Sequence, residues 1–298
     1  MTTGRPPADP LFIGGTGRCG SHALGRLLNR HSRYRTIPIE VRFHSDPPVL
    51  PALLAGRIGL DDFLTHLRGP SWRRGHPDGK PRGLSRYVPE ERFEPAVRDF
   101  EQGFPADPRR AAANLVRTLL DPFAEEEGKP SWVEHTKNNV ASGTTLLEVF
   151  PDARIIHILR DGRDTAASLV HQSFGPNRMR PALKWWEERL AATEHGARQV
   201  PPERLLMLRI EDLVSRDRDA TYERLLEFAG IDDEEGIRWF FDRRLRPDRA
   251  NEGRWREGLG GRSARAVTRR YSRALERLIA ADTPARPLLE KALAEAQI

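Results

Sequence analysis

Gly15-Thr16-Gly17-Arg18-Cys19-Gly20 forms a G-x-G-x-x-G, followed at once by Ser21 and His22. Glycines at this spacing let a backbone turn tightly and approach a phosphate, so the chemistry on offer is anion binding. Two uses compete. In a dinucleotide fingerprint the glycines alone carry the function, Arg18 is an incidental surface residue, and Glu40 binds a ribose. In a loop for another phosphate, Arg18 is a charged tool, and Ser21 and His22 donate to phosphate oxygens. The G-K-[ST] ending of a nucleotide-triphosphatase loop is missing. From this stretch alone both uses stay open.

A second pair lies in PDARIIHILRDGRDTAASLVHQ (151–172). Arg160 stands at the C-terminal tip of an apolar run, and Ser168 follows eight residues later. Both can converge on one anion at the C-terminal edge of a sheet, where open α/β sheets bind their ligands. Two separate basic and hydroxyl sites point to a ligand with two separated phosphates. The competing use of Arg160 is a structural pair with Asp161 or Asp164.

Those residues need strands and helices to hold them. LFIGG (11–15) is an apolar run ending in glycines, which predicts a buried strand entering a tight turn. SHALGRLLNRH (21–31) carries apolar residues at 23, 24, 27 and 28, a helical stripe, with Ser21 placed to help its N-terminus. YRTIPIE (34–40) is extended, and Pro38 demotes it to an edge or irregular strand. Residues 41–105, rich in Pro, Gly and Arg, read as an insertion or lid with one helical stretch near PALLAGRIGLDDFLTHL. Beyond a helix in PRRAAANLVRTLLDPFAEEEG, SWVEHT, ARIIHILR (153–160) and RLLMLRI (204–210) read as strands. Helices are expected in NVASGTTLLEVF, RDTAASLVHQ, ALKWWEERLAATEHGARQ, DATYERLLEFAGI, EEGIRWFFDRRL and from about 263 onward. Alternation of this kind predicts an α/β fold: a central parallel sheet flanked by helices on both faces.

The composition narrows the partners. The 298 residues are 38% apolar and 31% charged, ordinary for a soluble globular protein. No apolar run reaches the length of a membrane span, and MTTGRPPADP has no signal-peptide core. One cysteine, Cys19, excludes a disulfide framework and a cysteine-rich metal site. A cytoplasmic protein is the expectation. The net charge is +6, and 44 of the 49 basic residues are arginine. That balance fits either a solvated Arg/Glu surface or a polyanionic ligand. Nucleic acid is disfavoured, because no basic run is interleaved with stacking aromatics.

FIGGTGRCGSHALGRLL (12–28) together with FPDARIIHILRDGRDTAASL (150–169) resembles the sulfotransferases that use 3′-phosphoadenosine-5′-phosphosulfate (PAPS). EHTKNN (134–139) resembles the family's E-K-T-P-x-N stretch, LRIEDLV (208–214) its R-Y-E-D-L segment, and EGRWREGLG (252–260) its G-R-W-R segment. The matches run in the family's order. GRCGSHALGRLLNRHSRYRTIPIEVR (17–42) is similar to the branch that includes tyrosylprotein and bacterial sulfotransferases. The sequence departs from the pattern at Cys19 for Ser, at His22 for Thr, at HTKNN without its proline, and at Ile210 for Tyr. Ala23 stands where soluble animal enzymes place an adenine-stacking Trp.

The resemblance implies a single domain over 1–298 with a P-loop-like nucleotide-binding core of the sulfotransferase type, PAPS as donor cosubstrate, and no metal. It implies that Gly17, Arg18, Cys19, Gly20, Ser21 and His22 cradle the 5′-phosphosulfate, and that Arg160 and Ser168 hold the 3′-phosphate. Arg254 and Arg256 are placed to close over that phosphate, with Gly253 as the flexible joint. In the tyrosylprotein branch a Glu in an E-x-R segment is the base, and Glu40 matches it, with Arg42 orienting it. Arg18 and Lys137 are candidates to neutralise the charge that grows on the leaving oxygen. His22, His44 and His135 rival Glu40 as base, whereas His157, inside an apolar strand, reads as a satisfied core residue. Trp185 and Trp186 read as core. The implied acceptor is a hydroxyl, less readily an amine, on a small molecule, glycan or peptide. Residues 41–105, including RGPSWRRGHPDGKPRGLSR, are the expected acceptor region. The alternatives are an NAD(P)-dependent Rossmann oxidoreductase and a non-catalytic nucleotide-binding protein.

Overall fold

In the computed structural model, residues 9–73 and 83–296 are described. Residues 74–82, the middle of the RGPSWRRGHPDGKPRGLSR stretch, and the N-terminal octapeptide lie outside them. Among the described residues five strands form one sheet: β1 (Leu11–Gly14), β2 (Tyr34–Thr36), β3 (Ser131–Glu134), β4 (Arg154–Leu159) and β5 (Leu205–Arg209). Their spatial order is β2-β3-β1-β4-β5, and every pairing is parallel. The expected α/β class is the observed one.

Parallel pairing places all the strand C-termini along one edge. Gly14 pairs with His157 and Phe12 with Glu134, so the segments leaving β1, β3 and β4 emerge side by side. The order also removes the dinucleotide alternative. A Rossmann sheet runs 3-2-1-4-5-6, with β2 beside β1. Here β3 intervenes, and β2 is the edge strand, ending before Pro38 because proline cannot supply a ladder donor.

Among the described residues twelve α-helices clothe the sheet: α1 (Ser21–Leu28), α2 (Leu50–Leu54), α3 (Leu60–His66), α4 (Glu90–Gly103), α5 (Pro108–Glu125), α6 (Gly143–Val149), α7 (Gly162–Val170), α8 (Met179–Ala197), α9 (Arg218–Ala229), α10 (Glu235–Arg244), α11 (Gly261–Ala280) and α12 (Arg286–Ala296). Strand side chains alternate between the layers, as pleating requires. Phe12, Trp132 and Ile155 join the core beneath α2 to α6, while Leu11, Ile13, Val133 and Ile156 join that beneath α1, α9 and α10. Trp186 packs with Tyr271 in a third cluster between α7, α8, α11 and α12. Trp186 is therefore core, whereas Trp185 is only half buried, beneath the Arg189 guanidinium.

The described part of the 41–105 segment is more helical than the one expected stretch. It supplies a helical layer, including the unanticipated α4 packed on α5, and Phe43, Phe63, Phe93 and Phe100 are fully buried in the main core. Pro95 inside α4 hid the helix from sequence reading. The helix expected over NVASGTTLLEVF shrinks to Gly143–Val149 after a 3₁₀ turn at Lys137–Asn139.

His157 on β4 is buried as expected but not satisfied: neither ring nitrogen makes a hydrogen bond, although Nδ1 lies 3.2 Å from Oε1 of Glu194 on α8. Burial pulls the imidazole down to about 3 and pushes Glu194 up to about 7, so of the two the carboxyl binds a proton the more tightly. Glu194 also accepts from the Ala285 amide, tying α8 to the turn between α11 and α12. A carboxyl that binds its proton more tightly folded than unfolded makes stability fall as pH rises from about 4.5 through about 7, by up to about 3 kcal/mol. Glu194→Gln keeps the acceptor for Ala285 and removes the titration. His157, kept neutral by burial, pulls the other way over part of that window, so the readout is the difference between the proteins: in denaturant unfolding Glu194→Gln should gain stability relative to wild type as pH rises from about 4.5 to about 7, and exceed it at about pH 8. Parallel pH profiles would refute this assignment.

Candidate functional site

The loop between β1 and α1 is built by close approach. A Cβ on Gly14 would lie 2.6 Å from the Val140 amide nitrogen, so only glycine lets β1 end against the turn that follows β3. The Gly15 amide donates to the Lys137 carbonyl at 2.9 Å, which fastens the two segments together. Gly17, Arg18 and Gly20 all have positive φ. Arg18 is the costly one, because a side chain there must occupy the left-handed region. Gly20, not Ser21, is the N-cap of α1, and no side chain caps the helix. The first amides of α1 are thus left for a ligand, at the positive end of the helix dipole.

The two sequence motifs meet directly. Arg18 Nε donates to Ser168 Oγ at 3.0 Å, across 150 residues. Arg160 donates from Nη1 to the Arg18 carbonyl at 3.0 Å and from Nη2 to the Asn251 carbonyl at 2.9 Å. Arg160 takes neither neighbouring aspartate. Asp161 receives Arg163 in a two-pronged contact, and Asp164 accepts the Gly253 and Trp255 amides at 2.8 and 3.0 Å. Arg163 lies over both the Trp255 and Tyr271 rings. The two sites that looked separate in the sequence are contiguous.

On the other side of the loop stands Glu40. It is half buried, and Arg42 grips its Oε2 from Nε at 3.1 Å and Nη2 at 2.9 Å. The Lys137 stem crosses Gly17, its Cδ 3.5 Å from where a Cβ would sit. Burial lowers the Lys137 pKa, with Arg189 and Arg42 adding repulsion and Glu40 and Asp46 opposing it. Burial also lowers that of His22, His135 and Arg26 push the same way, and the Glu40 carboxylate pulls upward. Glu40, His22, Lys137 and Arg42 therefore share one electrostatic neighbourhood.

The histidine rivals separate. His135 Nε2 bonds the Ile37 carbonyl, and His44 contacts Glu134 and Asn139; both are buried in the core. Of the three, His22 alone is exposed, at the start of α1, its ring 4.4 Å from that of His135. Among the described residues no group of three or more His, Cys, Asp or Glu is arranged to hold a metal.

A cavity of about 200 Å³ opens beside the loop, lined by Gly20, Ala23, Arg160, Ile210, Arg244 and Arg249 among others. Arg244 and Arg249 have no carboxylate partner among the described residues. Sequence reading missed both, although the arginine-dense DRRLRPDRA (242–250) carried the signal. Arg254 instead turns to Asn251 and Glu257, and Arg256 lies on Trp255; neither lines the cavity. A larger groove, about 780 Å³, runs between α4 and α5 and includes no residue of the loop. The smaller cavity is the one that borders the glycine loop and the start of α1.

The sulfotransferase family's sequence model matches residues 10–235. No curated protein matches the chain. Similar solved structures include the sulfotransferase domain of the Synechococcus PCC 7002 olefin synthase, at 18% identity over 87% of this chain and 91% of that one, TM-score 0.49. Mouse sulfotransferase SULT7A1 complexed with PAP is 13% identical over 95% and 88%, TM-score 0.46. Sulfotransferase STF9 of Mycobacterium avium is 17% identical over 90% and 76%, TM-score 0.43.

Cys19 provides a probe of the loop. It is buried, and burial raises its thiol pKa. A thiol in that state is a poor nucleophile. A disulfide reagent should therefore label Cys19 no faster than the loop opens, and an anionic ligand on the α1 amides should slow labelling further. Stoichiometric labelling of the native protein within seconds would contradict this geometry.

Proposed function

The chain belongs to the sulfotransferase family, enzymes whose donor is PAPS, and from that premise we propose that it transfers the sulfuryl group to an acceptor hydroxyl with Glu40 as general base. The observation that carries this reading is the convergence of Glu40, His22, Lys137 and Arg18 on one glycine loop whose helix amides are uncapped.

The residues fit the donor. The loop amides and Arg18 suit a phosphosulfate, and Arg160, Arg244 and Arg249 line a cavity suited to the nucleotide and its 3′-phosphate. Ser168 adds a hydroxyl at the junction, held by Arg18. Ala23 and Ile210 give the cavity apolar wall where related enzymes use larger rings. When bound, the donor supplies the sulfuryl group.

Each side chain then has a distinct task. Arg42 fixes the Glu40 carboxylate, so one oxygen can face the acceptor. Glu40 takes the hydroxyl proton as the acceptor oxygen bonds to sulfur and the sulfur–oxygen bond to the phosphate breaks. Lys137 and Arg18 place positive charge where the leaving oxygen becomes negative, and being held in advance they need not reorganise. Lys137 can also return a proton, since burial, with the Arg189 and Arg42 charges, already weakens its hold on one. The acceptor is a hydroxyl-bearing small molecule, glycan or peptide, and the whole chain acts as one sulfotransferase domain.

Calorimetric titration with adenosine 3′,5′-bisphosphate, run beside NAD, NADP and ATP, tests the donor. The bisphosphate alone should bind tightly. Arg160→Ala and Arg249→Ala should each weaken it about tenfold or more, the worth of one charge-assisted contact. Unchanged affinity in both would displace the 3′-phosphate from this cavity. Glu40→Gln should leave that affinity within about twofold and lower transfer about 10²–10⁴-fold. Full transfer without the carboxylate would move the base to His22.

A further inference from the structure

Glu134, the last residue of β3, has no assigned task, and its side chain is fully buried. Its two oxygens are covered by donors from three segments. Oε1 accepts from the Val41 amide at 3.0 Å and the Thr136 hydroxyl at 2.6 Å. Oε2 accepts from the Thr136 amide at 2.9 Å and Asn139 Nδ2 at 2.7 Å, and lies 3.1 Å from His44 Nε2. Burial alone would raise its pKa, but the His44 imidazole and the surrounding donors hold it well below the usual carboxylate range.

The donors are not a random set. Val41 is the residue between Glu40 and Arg42, and Arg42 sits in the left-handed region at φ +69°. The next amide, that of Arg42, donates to the Thr136 hydroxyl at 3.2 Å, and that hydroxyl is itself held by Glu134. Asn139, with Lys137 in the same 3₁₀ turn, also reaches the Ile13 carbonyl on β1. One carboxylate thus ties the Glu40–Arg42 arch to the Lys137 turn and, through Asn139, to the strand that enters the glycine loop.

The geometry points to Glu134 as a positioning residue that sets the location of Glu40 relative to Lys137 and the donor loop. This rests on the proposed role of Glu40 as base. The surplus of donors explains why a carboxylate is needed. Asparagine is too short, and glutamine carries an N–H₂ group that must face one set of donors. At Oε2 it would oppose two N–H groups and the His44 contact; at Oε1 the Thr136 hydroxyl can turn to accept, and only the Val41 amide is left opposed. Glu134→Gln should therefore release the arch and spare the Lys137 turn.

Amide exchange reads this without any acceptor. In Glu134→Gln the Val41 amide should exchange about ten- to a hundredfold faster, the effect of one lost charge-assisted hydrogen bond. The Gly15 amide, bound to the Lys137 carbonyl, should keep its protection, and bisphosphate affinity should stay within about twofold. Transfer from PAPS to 4-nitrophenol should fall in kcat with little change in donor KM, and Glu134→Gln should add nothing further in a Glu40→Gln background. If Glu134→Gln does not fold, Thr136→Val frees the Arg42 amide while leaving the carboxylate in place, and should produce the same split on a smaller scale. Equal loss of protection at Val41 and Gly15 would make Glu134 a general packing group and overturn the proposal, as would unchanged exchange at Val41. Retained transfer in Glu40→Gln would reject the base, a separate failure, because the two exchange rates still decide whether Glu134 holds the arch.

Discussion

A carboxylate with no access to solvent can persist only where donors come to it, since burying an unpaired charge costs several kcal/mol. Glu134 meets that condition at the C-terminal edge of the sheet, and the rest of the site is arranged around how it does so. Its donors come from the 40–44 arch, the β3 terminus and the Lys137 turn. Further bonds reinforce the same seam: Asn138 to Asp46, and the Ser142 hydroxyl to the Ser45 carbonyl. A residue that never reaches the surface thereby places groups that do.

The opposite wall of the site is held by a different device. Arg160, Asp161 and Asp164 spend their polar atoms on backbone groups and on Arg163, not on one another. Asp164 pins the 253–255 turn, and Arg163 fills the space between Trp255 and Tyr271. Glu211 accepts the Asp161 amide, and its burial pushes its carboxyl up to about 7. Arg209, beside it on β5, is paired with Glu295 of α12, so the last helix of the chain is wired to the strand end that borders the cavity. Arg163 and Arg209 are paired with carboxylates, whereas Arg244 and Arg249 line the cavity with no carboxylate partner among the described residues.

The parts of the site written locally in the chain were legible from it. A strand, a glycine turn and a helix that follow without interruption need no distant partner to be recognised, and β1, its loop and α1 are such a unit. Arg160 at a strand tip follows from the same logic. The 41–105 layer was not legible, because its helices are short or interrupted by proline and their apolar faces make sense only against α5 and the sheet. Arg254 and Arg256 drew attention through a motif, yet their side chains turn away from the cavity, and Arg244 and Arg249 stand there instead.

By itself the sequence determined the α/β alternation, the glycine loop between a strand and a helix, and the pair of motifs that mark the family, since each depends on residues close together in the chain. Only the tertiary structure decided that Arg18 meets Ser168, that His44 and His135 are core groups, and that Glu134 binds the arch beside Glu40. The reason is strand order. Inserting β3 between β1 and β2 brings residues 40–42 and 134–139 together, and a pattern read along one chain carries no record of which strands become neighbours.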